Sequence, residues 1–240
     1  CISKGSSASL ETTGVDPARD RVVELAAAQG HELAHIPGAT YAEVVHVPSD
    51  VQQSPGAQAA ARVHGIADDE IERGALFPDA WARFLAFAEA CLNNAIDAES
   101  DESGDELAPP RPPDVLPSLL LGGHNGCRFD FALLLFECQR HKLPTSPLRR
   151  WFFVDTLHVF ESAKAEVGVA CLKLQCLVNT AARACDLRAH RALDDCIALR
   201  HVVHGVASRL DCSAACLLSK FALQWNEPSS MAQVAALLAD

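Results

Sequence analysis

The 240-residue sequence predicts an α/β fold in one globular domain, because short apolar runs alternate with segments of helical periodicity. Apolar residues make up 49% of the chain, which is enough for one full hydrophobic core. Strand-like runs lie at residues 21–28, 41–47, 119–123 and 151–157. A helix is predicted from Pro78, because apolar residues recur there at the 3.6 period, namely Trp81, Phe84, Leu85, Ala88, Cys91 and Leu92.

The charge balance limits the kinds of partner that the chain can bind. With 31 acidic and 20 basic residues the formal charge is -11, which argues against binding DNA by broad phosphate neutralisation. Any contact with nucleic acid is therefore expected to be local. No run of 18 apolar residues suits a membrane, and the N-terminal residues do not resemble a signal peptide. We therefore expect a soluble intracellular protein, in the cytoplasm, the nucleus or an organelle.

The ten cysteines form no Cys-x-x-Cys pair, and several fall on predicted apolar helix faces. The favoured interpretation is that most of them are buried free thiols in a reducing compartment. The nearest arrangement to a zinc site is Cys212 and Cys216 with His201 or His204, and it is much less favoured.

Three short motifs, spread over most of the chain, combine residues suited to phosphodiester chemistry. Residues 9–14 read Ser-Leu-Glu-Thr-Thr-Gly, residues 123–130 read Gly-His-Asn-Gly-Cys-Arg-Phe-Asp, and residues 190–195 read His-Arg-Ala-Leu-Asp-Asp. Each is weak alone, since the first could be an ordinary turn and Asp130 could be a helix cap. Their order and spacing are much more specific than any one motif.

The three motifs together resemble those of the DEDDh 3'-5' exonuclease family, whose members resemble the proofreading subunit of replicative polymerases. The resemblance extends to about residue 204 and implies a ribonuclease-H-like α/β fold, with a mixed five-stranded sheet flanked by helices. It implies an exonuclease-like domain at 1–210, with an acidic, proline-rich insertion at about 97–117. Residues 211–240 are predicted to be a helical C-terminal extension, with helices at 214–225 and 229–238.

The resemblance also assigns site residues. Glu11, Asp130 and Asp195 correspond to ligands of two Mg²⁺ or Mn²⁺ ions, and His190 corresponds to the general base. Asp194 is expected to face away from Asp195, and Asp155 to brace the fold. His64 lies in a His-Gly-Ile signature, although packing or capping is its commoner role. Further matching positions imply contacts with substrate, namely Thr12, Thr13, Gly14, His124, Asn125 and Phe129.

The sequence departs from the family at Ser9, where the first motif normally has an aspartate that bridges both metal ions. Residues 1–8 are also small and polar where the family has an apolar strand, so they predict a poor strand. One hypothesis is a metal-dependent exonuclease acting on DNA or RNA 3' ends, impaired by Ser9 or completed by a different natural N-terminal segment. The alternative is a catalytically inactive relative that binds nucleic acid or a protein partner. A monomer and a homodimer both fit the sequence.

The segment from 98 to 117 is acidic and then rich in proline. Its low apolar content predicts a flexible insertion, without regular structure over residues 98–111. A helix is predicted at 171–178, and the third motif is predicted to open a long helix that contains Asp195 and is preceded by His190 in a loop.

Overall fold

The computed structural model describes residues 4–30, 38–102, 118–181 and 190–224, and in them the strands form a mixed sheet of order β3-β2-β1-β4-β5-β6. The central strand β1 pairs antiparallel with β2 and parallel with β4. The predicted fold class is therefore confirmed, with one short strand added at the edge. The strands are β1 (Lys4–Thr12), β2 (Val22–Gln29), β3 (Thr40–Val44), β4 (Leu119–Gly123), β5 (Trp151–Asp155) and β6 (Leu223–Gln224).

The helices cover both faces of this sheet. They are α1 (Ser49–Gln52), α2 (Pro55–His64), α3 (Asp68–Glu72), α4 (Phe77–Glu102), α5 (Asp130–Arg140), α6 (Thr156–Ser162), α7 (Lys164–Val167), α8 (Leu174–Ala181), α9 (Ala192–Arg209) and α10 (Ala214–Ser219). Helices α4 and α5 pack on one face through an aromatic core that contains Trp81, Phe84, Phe131 and Phe153. Helices α6 to α10 pack on the other face, where Leu120 and Val154 meet α9 at Val202 and Val206.

The expectation of a poor first strand is wrong, because β1 is the central strand of the sheet. Its backbone is hydrogen-bonded on both sides, and tertiary pairing of this kind overrides a low strand propensity. The small side chains also suit the position, since the Ser7 hydroxyl donates to the Cys196 carbonyl of α9 over 2.9 Å. Residues 6–8 are buried.

Two predicted boundaries are also wrong. Helix α4 continues to Glu102, so residues 98–102 are helical, and the rest of the predicted insertion lies outside the described residues. Helix α10 ends at Ser219, and the chain then forms β6 against β5 instead of continuing the predicted helix to 225. Backbone groups at the open edge of β5 are satisfied by this pairing. The helix predicted at 229–238 lies outside the described residues.

The cysteines follow the prediction in part. Cys127, Cys138 and Cys196 are buried free thiols, whereas Cys171 and Cys176 form a disulfide just before and within α8. This disulfide is an exception to the expectation that most cysteines are free thiols, and the turn that enters α8 brings its two sulfur atoms together. Over the described ranges, no helix has the length and apolar character needed to cross a bilayer.

Glycine at position 205 allows α9 to approach α8 closely. A Cβ there would collide with the Ala181 carbonyl oxygen, which is a backbone atom and cannot rotate away. Gly205→Ala should therefore lower the free energy of unfolding by about 1–3 kcal/mol, as overpacking does elsewhere. Urea unfolding followed by circular dichroism measures this change.

Gly56→Ala is the matched control for this substitution. Gly56 lies in the first turn of α2, and an added Cβ there would have only the Thr13 carbonyl oxygen nearby, at 3.8 Å. Gly56→Ala should leave stability unchanged or raise it by about 0.4–1 kcal/mol, because alanine restricts the unfolded chain. Equal effects of the two substitutions would contradict the close packing of α8 on α9.

Candidate active site

The first motif lies on β1, where side chains alternate between the two faces of the sheet. Ala8 and Leu10 belong to the core under α4 and α5. Ser7 points to α9, since its hydroxyl reaches the Cys196 carbonyl. Ser9 and Glu11 therefore share the α9 face, two residues apart, and only Glu11 offers a charge there.

Glu11 interacts electrostatically with two carboxylates from distant parts of the chain. Burial is the largest cause that raises its pKa, to about 8, and the charges of Asp195, Glu24 and Asp130 raise it further. The positive charge of Arg191 acts in the opposite direction. The sheet thus brings the three predicted ligands within electrostatic reach of one another, and in the apo protein their negative charges repel.

Asp130 is the first residue of α5, where the helix dipole favours an anion. One of its carboxylate oxygens accepts a hydrogen bond of 2.8 Å from the Leu10 backbone N–H, next to Glu11. Burial nevertheless raises the pKa of Asp130 to about 7, and the charges of Asp155 and Asp195 add to this effect. The Leu10 contact fixes the second motif beside the first.

Asp195 lies in the first turn of α9, and His190 lies two residues before the helix, as predicted. Burial raises the pKa of Asp195, while the neighbouring His190 lowers it through its charge and through its backbone N–H, which hydrogen-bonds to the carboxylate. His190 has a φ of 67°, which is uncommon for a residue other than glycine. The exposed His190 side chain is therefore held at the helix entrance by a turn that folds back on Asp195.

The chemistry of these donors suits a hard divalent cation, because all three are carboxylates and they repel one another without a cation between them. Among the residues that the structure describes, however, no three acidic, histidine or cysteine side chains already form a metal-binding cluster. That finding also gives no support to a zinc site at Cys212 and Cys216. The ligand roles of Glu11, Asp130 and Asp195 stay predictions.

Asp155 braces the second motif, as predicted. Its carboxylate accepts backbone hydrogen bonds from Asn125 at 2.9 Å, Cys127 at 3.1 Å and Leu157 at 2.9 Å. Asn125 has a φ of 60°, so the turn after β4 needs this support. Asp155 therefore holds the loop that leads to Asp130.

Both ring nitrogens of His124 have protein partners. Its Nε2–H donates to the Leu172 carbonyl at 2.8 Å, and its Nδ1 lies 3.1 Å from the Thr156 hydroxyl. Burial lowers the pKa of His124, which favours the neutral ring. His124 thus joins β4 to the segment before α8, whereas Phe129 stays partly exposed beside Asp130 and carries the Arg128 guanidinium 5.7 Å from its ring centre.

The Thr-Thr-Gly sequence of the first motif closes the turn after β1. The Thr12 hydroxyl donates to the Gly14 carbonyl at 2.6 Å, and the buried Thr13 hydroxyl donates to Asp20 at 3.0 Å. A Cβ at Gly14 would collide with the same Asp20 carboxylate. Thr12, Thr13 and Gly14 therefore stabilise the conformation of the loop that follows Glu11.

His64 packs at the end of α2 and supports the backbone that follows it. It is 5% exposed at the end of α2, and its Nδ1 accepts a 3.0 Å hydrogen bond from the Ile66 backbone N–H. Burial lowers its pKa. The packing interpretation of the His-Gly-Ile segment is therefore confirmed.

The chain has family and structural relatives. Residues 10–99 match the family model RNase_T, described as exonuclease. No curated protein sequence matches the chain significantly.

Several solved exonuclease structures share the fold of this chain. An exonuclease I structure is 19% identical with a TM-score of 0.66, over 91% of this chain and 43% of that one. A zinc-bound complex of E. coli exonuclease I with single-stranded DNA is 19% identical with a TM-score of 0.61, over 88% and 42%. The nuclease domain of 3'hExo, a DEDDh family member bound to rAMP, is 16% identical with a TM-score of 0.61, over 86% and 92%.

The resemblance to the exonuclease family is confirmed. It rests on the family match over residues 10–99 and on the shared ribonuclease-H-like fold. The chain spans less than half the length of exonuclease I but nearly the whole 3'hExo nuclease domain.

The sequence analysis assigned no role to Glu24, which lies outside the three motifs, or to Arg191, which lies inside the third. Glu24 of β2 is 2% exposed and forms a salt bridge with Arg191, which follows His190 directly. The available signal was an acidic residue inside an otherwise apolar strand, since a buried charge requires a partner. The identity of that partner depends on the tertiary fold.

The raised pKa of Glu11 gives a testable dependence of stability on pH in chelator-treated protein. A carboxyl whose pKa rises from 4.5 unfolded to about 8 folded contributes stability below pH 4.5, and that contribution is lost as the pH rises to about 8. Glu11→Gln should therefore raise the free energy of unfolding at pH 8.5, by on the order of 2 kcal/mol after allowance for solvent screening. The gain should shrink as the pH falls towards about 5, as measured by urea unfolding.

Glu43→Gln provides a control of opposite sign. Arg83 hydrogen-bonds to Glu43 and lowers its pKa, so this carboxylate contributes stability above its unfolded pKa and loses it as the pH falls. Glu43→Gln should not stabilise the protein at pH 8.5. A loss of stability in Glu11→Gln at that pH would contradict the burial cost and the repulsion that are assigned to the charged form of Glu11.

Proposed function

We propose that the chain is a metal-dependent 3'-5' exonuclease domain that removes nucleotides from DNA or RNA 3' ends by phosphodiester hydrolysis, with its rate reduced by Ser9. The observation that carries this proposal is that the fold brings Glu11 of β1, Asp130 of α5 and Asp195 of α9 within electrostatic reach of one another, with Asp130 hydrogen-bonded to the Leu10 N–H next to Glu11. Packing alone gives no reason to collect three acidic side chains at one place on the sheet, because their repulsion destabilises the apo protein.

The three carboxylates would hold Mg²⁺ or Mn²⁺, and an oxygen-only donor set suits these ions. When bound, a metal pair supplies a polarised phosphate, an activated water and a stabilised leaving oxygen. The contribution of the chain is to hold Asp130 in place through Leu10 and to present Glu11 from the rigid central strand. The raised pKa values mean that metal binding must also displace protons from these carboxyls near neutral pH.

His190 is the proposed general base. It is exposed at the entrance of α9 next to Asp195, where its imidazole can take a proton from the attacking water. The backbone hydrogen bond from His190 to the Asp195 carboxylate keeps the base and the proposed ligand together. The short turn between them therefore couples proton removal to the position of the metal ligand.

Ser9 is the position that weakens the site. It shares the α9 face of β1 with Glu11, so an aspartate there would add a fourth carboxylate next to the other three. A serine hydroxyl is neutral and therefore lacks the charge that allows two cations to lie close together. We infer weak occupancy of at least one metal position and a large loss of rate.

Contact with nucleic acid is proposed to be local, at the 3'-terminal nucleotides. Thr12, Thr13 and Gly14 would offer backbone groups from a loop whose hydroxyls are already engaged, and Phe129 would offer a partly exposed ring for stacking. His124 and Asn125 would support this surface from the turn after β4. A structural relative binds single-stranded DNA and another binds rAMP, so both DNA and RNA are proposed as substrates.

The second candidate is a catalytically inactive exonuclease-like protein that binds nucleic acid or a protein partner, including a second copy of the chain. Ser9 is the observation that favours it, because every other motif position is present. The two candidates differ in what Ser9→Asp does.

The unmodified chain should cleave a 5'-labelled single strand in Mn²⁺ very slowly, and Ser9→Asp should raise the rate by at least about tenfold, because one added charge at a metal site is worth that much or more. Ser9→Asn is the matched control, since it has a similar shape but no charge. Products should shorten from the 3' end, and a 3'-terminal phosphorothioate should block them. Gel electrophoresis of the labelled products measures rate and direction.

Three outcomes separate the alternatives. Robust cleavage by the unmodified chain that Ser9→Asp does not change would show that the assigned role of position 9 is wrong. Activity that survives in Ser9→Asp with Asp130→Ala would show that the ligand set is wrong. Oligonucleotide binding without cleavage in every variant would favour the inactive alternative.

Metal binding can be tested without any substrate. Mn²⁺ should raise the melting temperature of the unmodified chain, since a ligand at 100 times its Kd stabilises by about 2.7 kcal/mol. Asp195→Asn should abolish this shift because it removes a proposed ligand. Asp194→Asn is the control in the same helical turn and should retain the shift. Equal shifts in both variants, measured by calorimetry, would contradict the role of Asp195.

A further inference from the structure

Glu24 is a buried acidic residue on β2, next to the central strand β1. Its side chain is 3% exposed, and β2 places it directly opposite Glu11 of β1 in the antiparallel register. Two acidic residues at opposed positions repel each other, and a buried carboxylate is costly unless it is paired. Glu24 therefore needs strong partners, and it finds them on α9.

Arg191 and Ala192 satisfy the Glu24 carboxylate together. The Arg191 Nε lies 3.2 Å from both carboxylate oxygens, and its Nη2 lies 2.6 Å from Oε1. The Ala192 backbone N–H donates to Oε2 at 2.8 Å. Since Arg191 is the N-cap residue of α9 and its own side chain does not cap the helix, Glu24 supplies the anion at this helix N-terminus.

Arg191 and Ala192, the two residues that bind Glu24, lie between His190 and Asp195 in the third motif. Arg191 follows His190, and its backbone carbonyl accepts the hydrogen bond from the Asp195 N–H at 3.0 Å. The same residue thus binds β2 through its side chain and the first turn of α9 through its carbonyl. The left-handed backbone of His190 immediately precedes this fixed point.

We propose that Glu24 and Arg191 are a positioning pair, which sets where α9 presents Asp195 and His190 to Glu11. The inference rests on the function proposed above. Neither residue needs to touch substrate or metal, because the pair fixes the N-terminus of α9 against β2, which lies beside β1. Arg191 also lies 3.6 Å from Glu70 of α3, so the guanidinium has a second anchor beside β2.

A role in positioning predicts a larger effect on the reaction than on folding. A displacement of about 1 Å can cost a factor of about 100 in rate, and loss of a partner behind a metal ligand typically costs about 10–100-fold in metal affinity or activity. Lysine cannot reproduce the planar, two-point contact of Arg191 with Glu24, although it keeps the charge. Arg191→Lys therefore separates geometry from charge.

The experiment compares Arg191→Lys and Glu24→Gln in the Ser9→Asp form of the 240-residue chain. Glu43→Gln is the matched control, because it disrupts another two-point Arg–Glu contact, with Arg83, on β3 and α4. Arg191→Lys and Glu24→Gln should lower kcat on a single-stranded oligonucleotide by about 10–100-fold with KM within about threefold. The Kd for Mn²⁺, measured by electron paramagnetic resonance without substrate, should rise about tenfold or more. Glu43→Gln should change neither quantity.

The outcomes are distinguishable from those of the proposed function. If the Ser9→Asp parent neither binds Mn²⁺ nor cleaves, the proposed function fails, and this inference fails with it. If the parent does both and a folded Arg191→Lys protein matches it in kcat and Mn²⁺ affinity, only the positioning role is overturned. Should Glu24→Gln not fold, Arg191→Lys decides, because it keeps a cation beside Glu24. A lower melting temperature with unchanged kcat and Mn²⁺ affinity would show a purely structural pair.

Discussion

The packing of α9 across β1 and β2 is the contact on which the candidate site depends. Small residues on both sides make it possible, since Ala26 and Ala28 of β2 meet Ala192 and Cys196 of α9. The Ser7 hydroxyl, bonded to the Cys196 carbonyl, adds a polar contact that a larger apolar residue could not make. Because the backbones approach closely here, the first turn of α9 reaches the end of β1, where the acidic residues meet.

The carboxylates at that point are held against their mutual repulsion by rigid elements. Asp130 is tied to β1 through Leu10, and Glu24 is neutralised by Arg191, whose charge also lowers the pKa of Glu11. Without such contacts the acidic side chains would move apart into solvent, which is the lower-energy state for like charges. The apo protein therefore stores an unfavourable interaction that a divalent cation would relieve, as expected of a functional site.

The sequence was sufficient to predict the fold class, because the order of the three motifs resembles that of one family. It was also sufficient to select Glu11, Asp130 and Asp195 as the acidic residues near β1, because each motif contains only one or two acidic residues. It failed for β1 itself, since Gly and Ser have poor strand propensity and only the pairing with β2 and β4 explains the strand. It also failed for β6 and for the disulfide between Cys171 and Cys176, which depend on contacts made after the chain has folded. Glu24 was missed for the same reason, because its partner is 167 residues away.

Poor strand propensity in β1 has little effect on the fold, whereas a single serine at position 9 is inferred to have a large effect on activity. The difference lies in how many interactions stabilise each feature. A strand is stabilised by many backbone hydrogen bonds, so the weak residues of β1 are compensated by β2 and β4 on either side. A pair of divalent cations is stabilised by only a few carboxylates. Each carboxylate that is lost leaves more of the repulsion between the two cations uncompensated. Ser9 fits the strand and faces α9 beside Glu11. Under the proposed function, a serine at this position therefore leaves the architecture intact while the metal site has one negative charge fewer.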